Sequence, residues 1–325
     1  MGDKFFYAEK VSEIVTEKIL KQLKQGIIPW RQSWKDAIPR NWETNRPYNG
    51  INLFLLAPGE YLTFNQIKKL NARLKKGAKG YLVVFWKVDT IKAEKKNDIT
   101  EPEEEETVIE EVATKEEVKK VYLLKYYYVF NVNDIEGLPQ KKGKEQDIPQ
   151  DMPVVKEVDY KNKVKHALEF VKQWNNIVPI KHGNYNPCYS PINDTIYMPY
   201  FSHFEDKNKI EEYFSTLFHE IVHSTGHQSR LDRIKHNKIG DWHYSLEELT
   251  AEIGSSMLMN MYGLDIPEVF QNNVAYINFW LQQLNNDKTL IIKAAGRAET
   301  AVEYVLQKTK FGENEVEKPK EVATA

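Results

Sequence analysis

The feature that most constrains this chain is a heptapeptide in its second half, Leu217-Phe-His-Glu-Ile-Val-His223. Two histidines four residues apart share one face of an α-helix. The surrounding residues 209–225 are apolar at helical spacing and Gly226 follows them, so the pattern predicts a buried helix that ends at this glycine. The second half of the chain must therefore hold a helix against a core with both imidazoles on one side.

This spacing suits a metal ion. His219 and His223 can present two imidazoles to one tetrahedral cation, with Glu220 beside the open coordination position. A catalytic zinc needs a third protein ligand, and we expect Glu248 to supply it from a later helix. Glu252, one turn further, is expected to accept the imidazole N–H of a ligand histidine. The sequence leaves the exchange of these two glutamates open.

Three other residues near the motif are weaker candidates. A third histidine six residues after His223 is excluded because position 229 is serine. His227 comes two residues too early for that pattern, so it stays an alternative ligand, and packing at the helix end is the simpler interpretation. His243 or Tyr244 is a candidate stabiliser of a developing oxyanion.

The expected chemistry is peptide-bond hydrolysis with Zn²⁺ as cofactor, although the same ligands accept another divalent ion such as Mn²⁺. The ion lowers the pKa of its bound water to about 7, and Glu220 is the general base that takes the proton and returns it to the leaving amine. A strand over Thr195–Met198 is expected to line the cleft as an edge for an extended substrate. The alternative is a metal domain that is structural, or that docks a protein without proteolysis.

The N-terminal part of the chain differs in charge from the rest. The formal net charge is −2, but residues 1–92 hold 17 Lys+Arg against 8 Asp+Glu, while residues 93–120 hold 5 against 11. Exposed aromatic faces stack on unpaired bases while cations contact phosphates, so the basic segment favours single-stranded DNA. Buried tryptophans and solvated lysines are equally compatible with the pattern. The DNA-binding candidates are Trp30, Trp34, Trp86, Arg40, Arg46, Lys75, Lys76, Lys79 and Lys87.

The predicted fold class is α+β, with helices and a small antiparallel sheet in the first half and mostly helices with a small sheet in the second. A helix over residues 11–25 and a second one from Thr63 to Gly77 are expected, and strands over 81–88 and 121–130 are expected to pair. The expected boundaries are 1–139 for an N-terminal domain with an acidic insertion at 93–120, 140–155 for a linker, 156–310 for a C-terminal domain and 311–325 for a disordered tail.

Composition indicates the cellular compartment of the protein. Its single cysteine, Cys188, excludes an internal disulfide framework and favours a reducing compartment. The N-terminus has no apolar signal region, and no uncharged apolar run of about 18 residues is present. We therefore expect a cytoplasmic protein with no membrane partner.

Segments of both halves resemble ArdC-type antirestriction proteins. In the first half these are residues 46–52, 62–66 and 76–80, and in the second half residues 216–227 and 247–252. The resemblance implies an N-terminal domain that binds single-stranded DNA, followed by a zincin-like metallopeptidase domain. It also implies a protein of plasmids, conjugative elements or phages that protects incoming DNA from host restriction, with a protein substrate or a host restriction component as a further partner.

The resemblance also bears on individual residues. By position it implies His219, His223 and a glutamate of the 247–252 segment as metal ligands. It adds Asn41, Tyr48 and Asn52 to the DNA-binding candidates listed above.

Overall fold

The structure is a computed structural model of the 325-residue chain, and it describes residues 2–31, 38–92, 111–113, 118–139, 156–204, 207–234, 242–264 and 274–309. The chain forms two compact units. The first comprises Met1–Pro29, Asp36–Gln146 and Asn273–Ile292, and the second comprises Trp30–Lys35, Asp147–Asn272 and Lys293–Ala325. The fold is α+β, as predicted. No helix of the described ranges is both long and apolar enough to cross a membrane.

The first unit combines helices with a mostly antiparallel sheet. Its elements are α1 (Gly2–Lys24), β1 (Arg40–Asn41), α2 (Asn52–Leu55), β2 (Glu60–Thr63), α3 (Phe64–Lys69), β3 (Arg73–Leu74), β4 (Tyr81–Lys92), β5 (Glu111–Ala113), β6 (Val118–Asn131), β7 (Ile135–Glu136) and, from late in the chain, α7 (Val274–Asn286).

The predicted pairing of two aromatic and β-branched strands is confirmed. Strands β4 and β6 are antiparallel from Tyr81 opposite Val129 to Lys92 opposite Val118, in a sheet of order β1-β2-β6-β4 with β5 beside β6. Most of the acidic insertion between them, and the linker at 140–155, lie outside the described residues.

Helix α1 buries the apolar stripe that its sequence predicts, including Val15, Ile19 and Leu23. It contacts α7, and the Thr16 hydroxyl donates a hydrogen bond of 2.6 Å to the carbonyl of Lys288. Residues 273–292 therefore complete the N-terminal unit, a contribution that sequence order alone did not suggest.

The predicted second helix begins as expected but ends early. The backbone N–H of Gln66 donates to the Thr63 hydroxyl at 3.2 Å, and the backbone N–H of Thr63 donates to the Gln66 side chain at 2.9 Å, which is a capping box. The helix ends at Lys69, so its prediction to Gly77 is wrong. Asn71 has a left-handed backbone with φ of 55°, and the next residues form β3, paired with β7. Strand pairing thus overrides the local helical pattern.

The second unit is mostly helical. Its elements are α4 (Lys156–Asn175), β8 (Ile180–Gly183), β9 (Cys188–Ser190), β10 (Thr195–Pro199), α5 (Lys209–Thr225), α6 (Trp242–Met261) and α8 (Leu290–Lys308), of which α8 begins in the first unit. The sheet has the order β8-β10-β9. The strand expected to be an edge, β10, is therefore the central one, and this expectation was wrong.

Helix α5 is the helix that the histidine motif predicted. Leu217, Phe218, Ile221 and Val222 are fully buried along it. It packs closely on α6, because a Cβ at Gly254 would lie only 2.8 Å from a methyl carbon of Val222. The close approach of these two helices positions the side chains of the candidate site.

Candidate metal centre

Three side chains from α5 and α6 converge on one point. The Nε2 atoms of His219 and His223 are 3.0 Å apart, and oxygens of Glu248 lie 3.6 Å and 3.5 Å from these two atoms, respectively. Two imidazole nitrogens at about 2.0–2.1 Å from one tetrahedral Zn²⁺ would stand about 3.3 Å apart. The spacing and the donor types therefore fit a divalent cation.

A buried carboxylate holds the second nitrogen of His223. Glu247 Oε1 lies 3.3 Å from His223 Nδ1, the ring atom that faces away from the cluster. Such an outer partner fixes the tautomer and the orientation of a ligand histidine. Successive helix residues thus serve one imidazole from two sides, with Glu248 at Nε2 and Glu247 at Nδ1.

Arg233 holds Glu247 in place. Its guanidinium donates two hydrogen bonds to the Glu247 carboxylate, of 3.1 Å and 3.0 Å, and both side chains are nearly buried. It also donates to the Thr225 hydroxyl at 2.8 Å and to the Val222 carbonyl at 2.9 Å, which ties it to the end of α5. Arg233 was not among the residues selected from the sequence, because no motif marks a single arginine in a loop.

The structure corrects the expectation for Glu252. Its carboxylate accepts hydrogen bonds from Arg31 at 2.7 Å and 3.2 Å, instead of one from a histidine. Helical periodicity placed Glu252 on the face of Glu248, but the approach of α5 brings His223 next to Glu247. The position beside the ligand histidine therefore belongs to Glu247.

We predict that Glu247→Gln weakens divalent-metal binding about 10- to 100-fold, the usual cost of losing an outer partner. The amide keeps the shape of the side chain but gives up the charge that His223 and Arg233 face. Chelator competition with Zn²⁺ measures the dissociation constant. Glu252→Gln is the matched control and should bind Zn²⁺ like the wild type. Equal affinity in both variants would show that Glu247 has no role in holding His223.

The carboxylates dominate the charge of the site. Burial alone would lower the pKa of His223, but Glu247 and Glu248 outweigh it and raise the pKa to about 10. Burial likewise opposes ionisation of Glu248, yet His219 and His223 hold its pKa well below the usual range. Without a cation, the site therefore keeps a proton on His223 at neutral pH.

A proton held on His223 must leave before that nitrogen binds a metal. We therefore predict that Zn²⁺ affinity rises between pH 6 and pH 9, by about tenfold per pH unit for each proton displaced. Isothermal titration in buffers of different ionisation enthalpy measures the number of protons released. Affinity that does not change over this range would contradict the protonated state of His223.

Glu220 lies beside the cluster and is only 7% exposed. It lines a cleft of about 480 Å³ together with the three converging side chains, Tyr244 and the strand β9. Strand β9 is an edge of the described sheet, so it has the position that was expected for β10. The cleft thus combines a candidate base, a candidate cation site and a strand at the edge of the described sheet.

The wall of the cleft is fixed by an arginine just after the motif. Arg230 donates two hydrogen bonds to Asp194 and one of 3.0 Å to the Tyr189 hydroxyl, which itself donates to Asp194 at 2.7 Å. Arg230 also donates to the Ser224 carbonyl at the end of α5, at 2.7 Å. The turn after the motif is therefore tied to the β9–β10 hairpin.

Comparison with known proteins finds a match for each half of the chain. Residues 155–297 match the model of a zincin-like metallopeptidase, and residues 9–130 match the N-terminal domain of the anti-restriction factor ArdC. The Mn(II)-bound crystal structure of the antirestriction protein ArdC from plasmid R388 superimposes with a TM-score of 0.64 at 27% identity, over 92% of this chain and 97% of that one. The chain therefore resembles ArdC antirestriction proteins along most of its length.

Other similar proteins include one of about the same length and two that are much longer. The metal-free form of the R388 ArdC structure gives a TM-score of 0.63 at 28% identity. The uncharacterized protein y4eC of Sinorhizobium fredii is 28% identical over 94% of this chain and 95% of that protein. Two Escherichia coli proteins named DNA primase TraC are 30% identical over 90% of this chain. The chain covers only 20% and 27% of the length of these two curated relatives.

The weaker candidates near the histidine motif lie apart from the cluster of His219, His223 and Glu248, or at its margin. His227 Nδ1 accepts a hydrogen bond from the backbone N–H of Ser229 and lies 2.7 Å from its hydroxyl, so it stabilises the turn after α5. His243 is exposed and contacts Trp242 edge to face. Tyr244 lines the cleft, and burial together with the Glu248 carboxylate raises its pKa.

Of the tryptophan candidates for DNA binding, Trp30 is the one whose side chain the structure describes. Trp30 is 0% exposed and belongs to the second unit, where its carbonyl accepts a hydrogen bond from Ser256, so it cannot offer a ring to a base. This corrects the expectation for Trp30. Trp34, and the side chains of Trp86 and Lys87, lie outside the described part of the structure.

Several polar candidates support the fold. Asn41 Oδ1 accepts hydrogen bonds from two backbone N–H groups of the following turn. The Asn52 amide bonds both backbone groups of Val84 on β4, at 2.7 Å and 2.8 Å. Arg40 donates to a neighbouring asparagine, and Tyr48 is partly buried, which raises its pKa to about 12. These four side chains have a structural explanation.

The remaining cationic candidates are exposed, namely Arg46, Lys75, Lys76 and Lys79. Among the described residues of the same unit, the exposed aromatic side chains are phenylalanines and tyrosines, namely Phe64, Phe85, Tyr127 and Tyr128. These four residues were not among the DNA-binding candidates, which included aromatic residues mainly as tryptophans. The alternation of aromatic residues along β6 was the available signal.

Proposed function

We propose that this protein is an antirestriction protein of a mobile genetic element that hydrolyses peptide bonds with a divalent metal and binds single-stranded DNA. The observation that carries the peptidase part is one cleft that holds His219, His223 and Glu248 as cation donors with Glu220 beside them. Zn²⁺ is the preferred cofactor because two imidazoles and one carboxylate are a common catalytic zinc set. Mn²⁺ suits the same donors and is the ion in the R388 relative.

The residues of the cleft have different roles in the proposed hydrolysis. When bound, a divalent cation polarises the scissile carbonyl and makes water more acidic. Glu220 accepts the proton of the attacking water on its carboxylate and delivers it to the leaving amine. Tyr244 keeps its proton because its pKa is raised, so its hydroxyl can donate a hydrogen bond to the developing oxyanion.

The substrate is an extended polypeptide that adds to the edge of β9. This short strand lines the cleft and has prolines on both sides, at positions 187 and 191. Backbone hydrogen bonds to an edge strand recognise a peptide with little dependence on its side chains. The candidate substrates are therefore locally unfolded segments of a host protein, including components of a restriction system.

A test of the peptidase part uses the full chain and a library of quenched fluorescent peptides. Cleavage should be lost on chelation and return on addition of Zn²⁺ or Mn²⁺. A protein that binds the metal but cleaves no member of the library, and no unfolded protein, would favour the alternative of a structural or docking metal domain.

The DNA-binding part rests on charge and on family. Residues 1–92 carry nine more cations than anions, exposed lysines and aromatics lie on the first unit, and residues 9–130 match the ArdC N-terminal domain. The names of the TraC relatives also point to DNA. Protection of incoming DNA would follow from contact with the strand that enters the cell.

A test of this part measures binding of the full chain to a single-stranded oligonucleotide against salt concentration. The full chain is needed because residues 273–292 belong to the first unit. The logarithm of the association constant should fall by about 0.7 per neutralised phosphate for each tenfold rise in salt. Binding that is absent at low salt would contradict the proposal.

A further inference from the structure

A row of aromatic side chains runs along one face of the N-terminal sheet. Tyr126, Tyr128 and Phe130 alternate along β6, so they share one face of the strand. The rings of Tyr126 and Tyr128 are 6.0 Å apart, and the ring of Phe130 is 6.4 Å from that of Phe64 at the start of α3. Tyr128 is 49% exposed and Phe64 is 47% exposed. Among the described residues of the first unit, these are the two most exposed rings, and both belong to this row.

Gly80 keeps the middle of this row open. A Cβ at this position would lie 3.2 Å from a ring carbon of Tyr128 and 3.4 Å from a ring carbon of Phe130. Any side chain there would crowd both rings. The backbone therefore passes close to the gap between them and adds no group that covers them.

Positive charge accompanies the aromatic row. Lys68 Nζ lies 4.7 Å from the centre of the Phe64 ring, and the exposed Lys79 directly precedes Gly80. Cations beside exposed rings match a polyanion that also offers flat apolar faces, which describes unpaired nucleotides better than a protein or a lipid.

We propose that Tyr128, Phe130 and Phe64 are the surface on which bases of a single strand stack, with Lys68 and Lys79 beside the phosphates. The inference rests on the proposed DNA-binding function and assigns it a site. A sheet face with aromatic residues at alternate positions accommodates two or three successive bases in other single-strand binders. The face takes bases of any identity, since every base has a ring to stack.

The experiment compares Tyr128→Ala and Phe64→Ala with wild type in the full chain, with a fluorescent oligodeoxythymidine as the probe. Each variant should raise the Kd about 5- to 100-fold, the usual effect of losing one stacked base. Tyr128→Phe should bind like wild type because it keeps the ring. Thermal unfolding and Zn²⁺ content of each variant check that the fold is intact.

Phe85→Ala is the matched control. Phe85 is 41% exposed on β4 and contacts Tyr127, on the opposite face of the same two strands. Its replacement should leave the Kd unchanged. Loss of binding in Phe85→Ala with full binding in Tyr128→Ala would place the bases on the other face and overturn the inference.

Salt dependence separates stacking from charge. Tyr128→Ala should lower affinity without a change in the salt slope, whereas Lys79→Ala should reduce the slope by about 0.7. If wild type binds and both alanine variants at Tyr128 and Phe64 bind equally well, this site is wrong while the proposed function stands. If wild type does not bind single strands at all, the proposed function itself fails.

Discussion

Replacing Glu220 by glutamine should lower the kcat of peptide hydrolysis about 10²- to 10⁴-fold while the protein keeps its metal. General base catalysis contributes about this factor, and an amide cannot accept the proton of the attacking water. Glu220 is not one of the three converging donors, so the affinity for the cation should change little. The loss should appear in kcat more than in KM, because the carboxylate acts on the water and not on the peptide.

The measurement pairs turnover of a cleaved peptide with metal content by mass spectrometry. Glu303→Gln, an exposed carboxylate on α8 of the same unit, is the control and should keep full activity. A Glu220→Gln protein that holds its metal and still cleaves at the wild-type rate would remove Glu220 from the mechanism.

Replacing His223 by alanine should abolish the stabilisation of the protein by Zn²⁺. A ligand at a thousandfold excess over its Kd adds about 4 kcal/mol to the free energy of unfolding. For a unit of this size that corresponds to a rise in Tm of about 8–16 °C in wild type. The variant should show almost none, because the cluster loses one of its two imidazoles and Glu247 loses the ring that it holds in place.

Calorimetry with and without Zn²⁺ measures this difference. His227→Ala is the informative control, since His227 was the alternative ligand and lies at Ser229 instead. It should keep the full rise in Tm. If His227→Ala loses the rise and Glu248→Ala keeps it, His227 and not Glu248 completes the ligand set.

The outer part of the metal centre shows the limit of sequence periodicity. Glu248 and Glu252 are one turn apart, so a helical pattern assigns them to one face and pairs both with the histidines. In the structure, Glu252 accepts hydrogen bonds from Arg31, a residue more than 200 positions earlier. The carboxylate next to His223 is that of Glu247. The angle between two packed helices decides which neighbour of Glu248 meets His223, and no local pattern contains that angle.

The N-terminal surface shows a second limit. Tryptophan content and positive charge predicted which segment is basic and aromatic, but Trp30 is buried and the exposed rings belong to Tyr128 and Phe64. Composition counts aromatic residues without their exposure, which depends on what packs over each face. The wrong prediction of the end of α3 also has a long-range cause. The chain after Lys69 forms β3, which pairs with a strand about 60 residues later.

The sequence by itself determined the features that depend on local spacing. It defined the helix that carries His219 and His223, the pairing of β4 with β6, the capping box at Thr63 and the separation of a basic segment from the rest of the chain. Only the tertiary structure decided which carboxylate stands behind His223, which strand is the free edge of the cleft and which rings face solvent. These depend on contacts between residues distant in the chain, and such contacts are set by how whole elements pack.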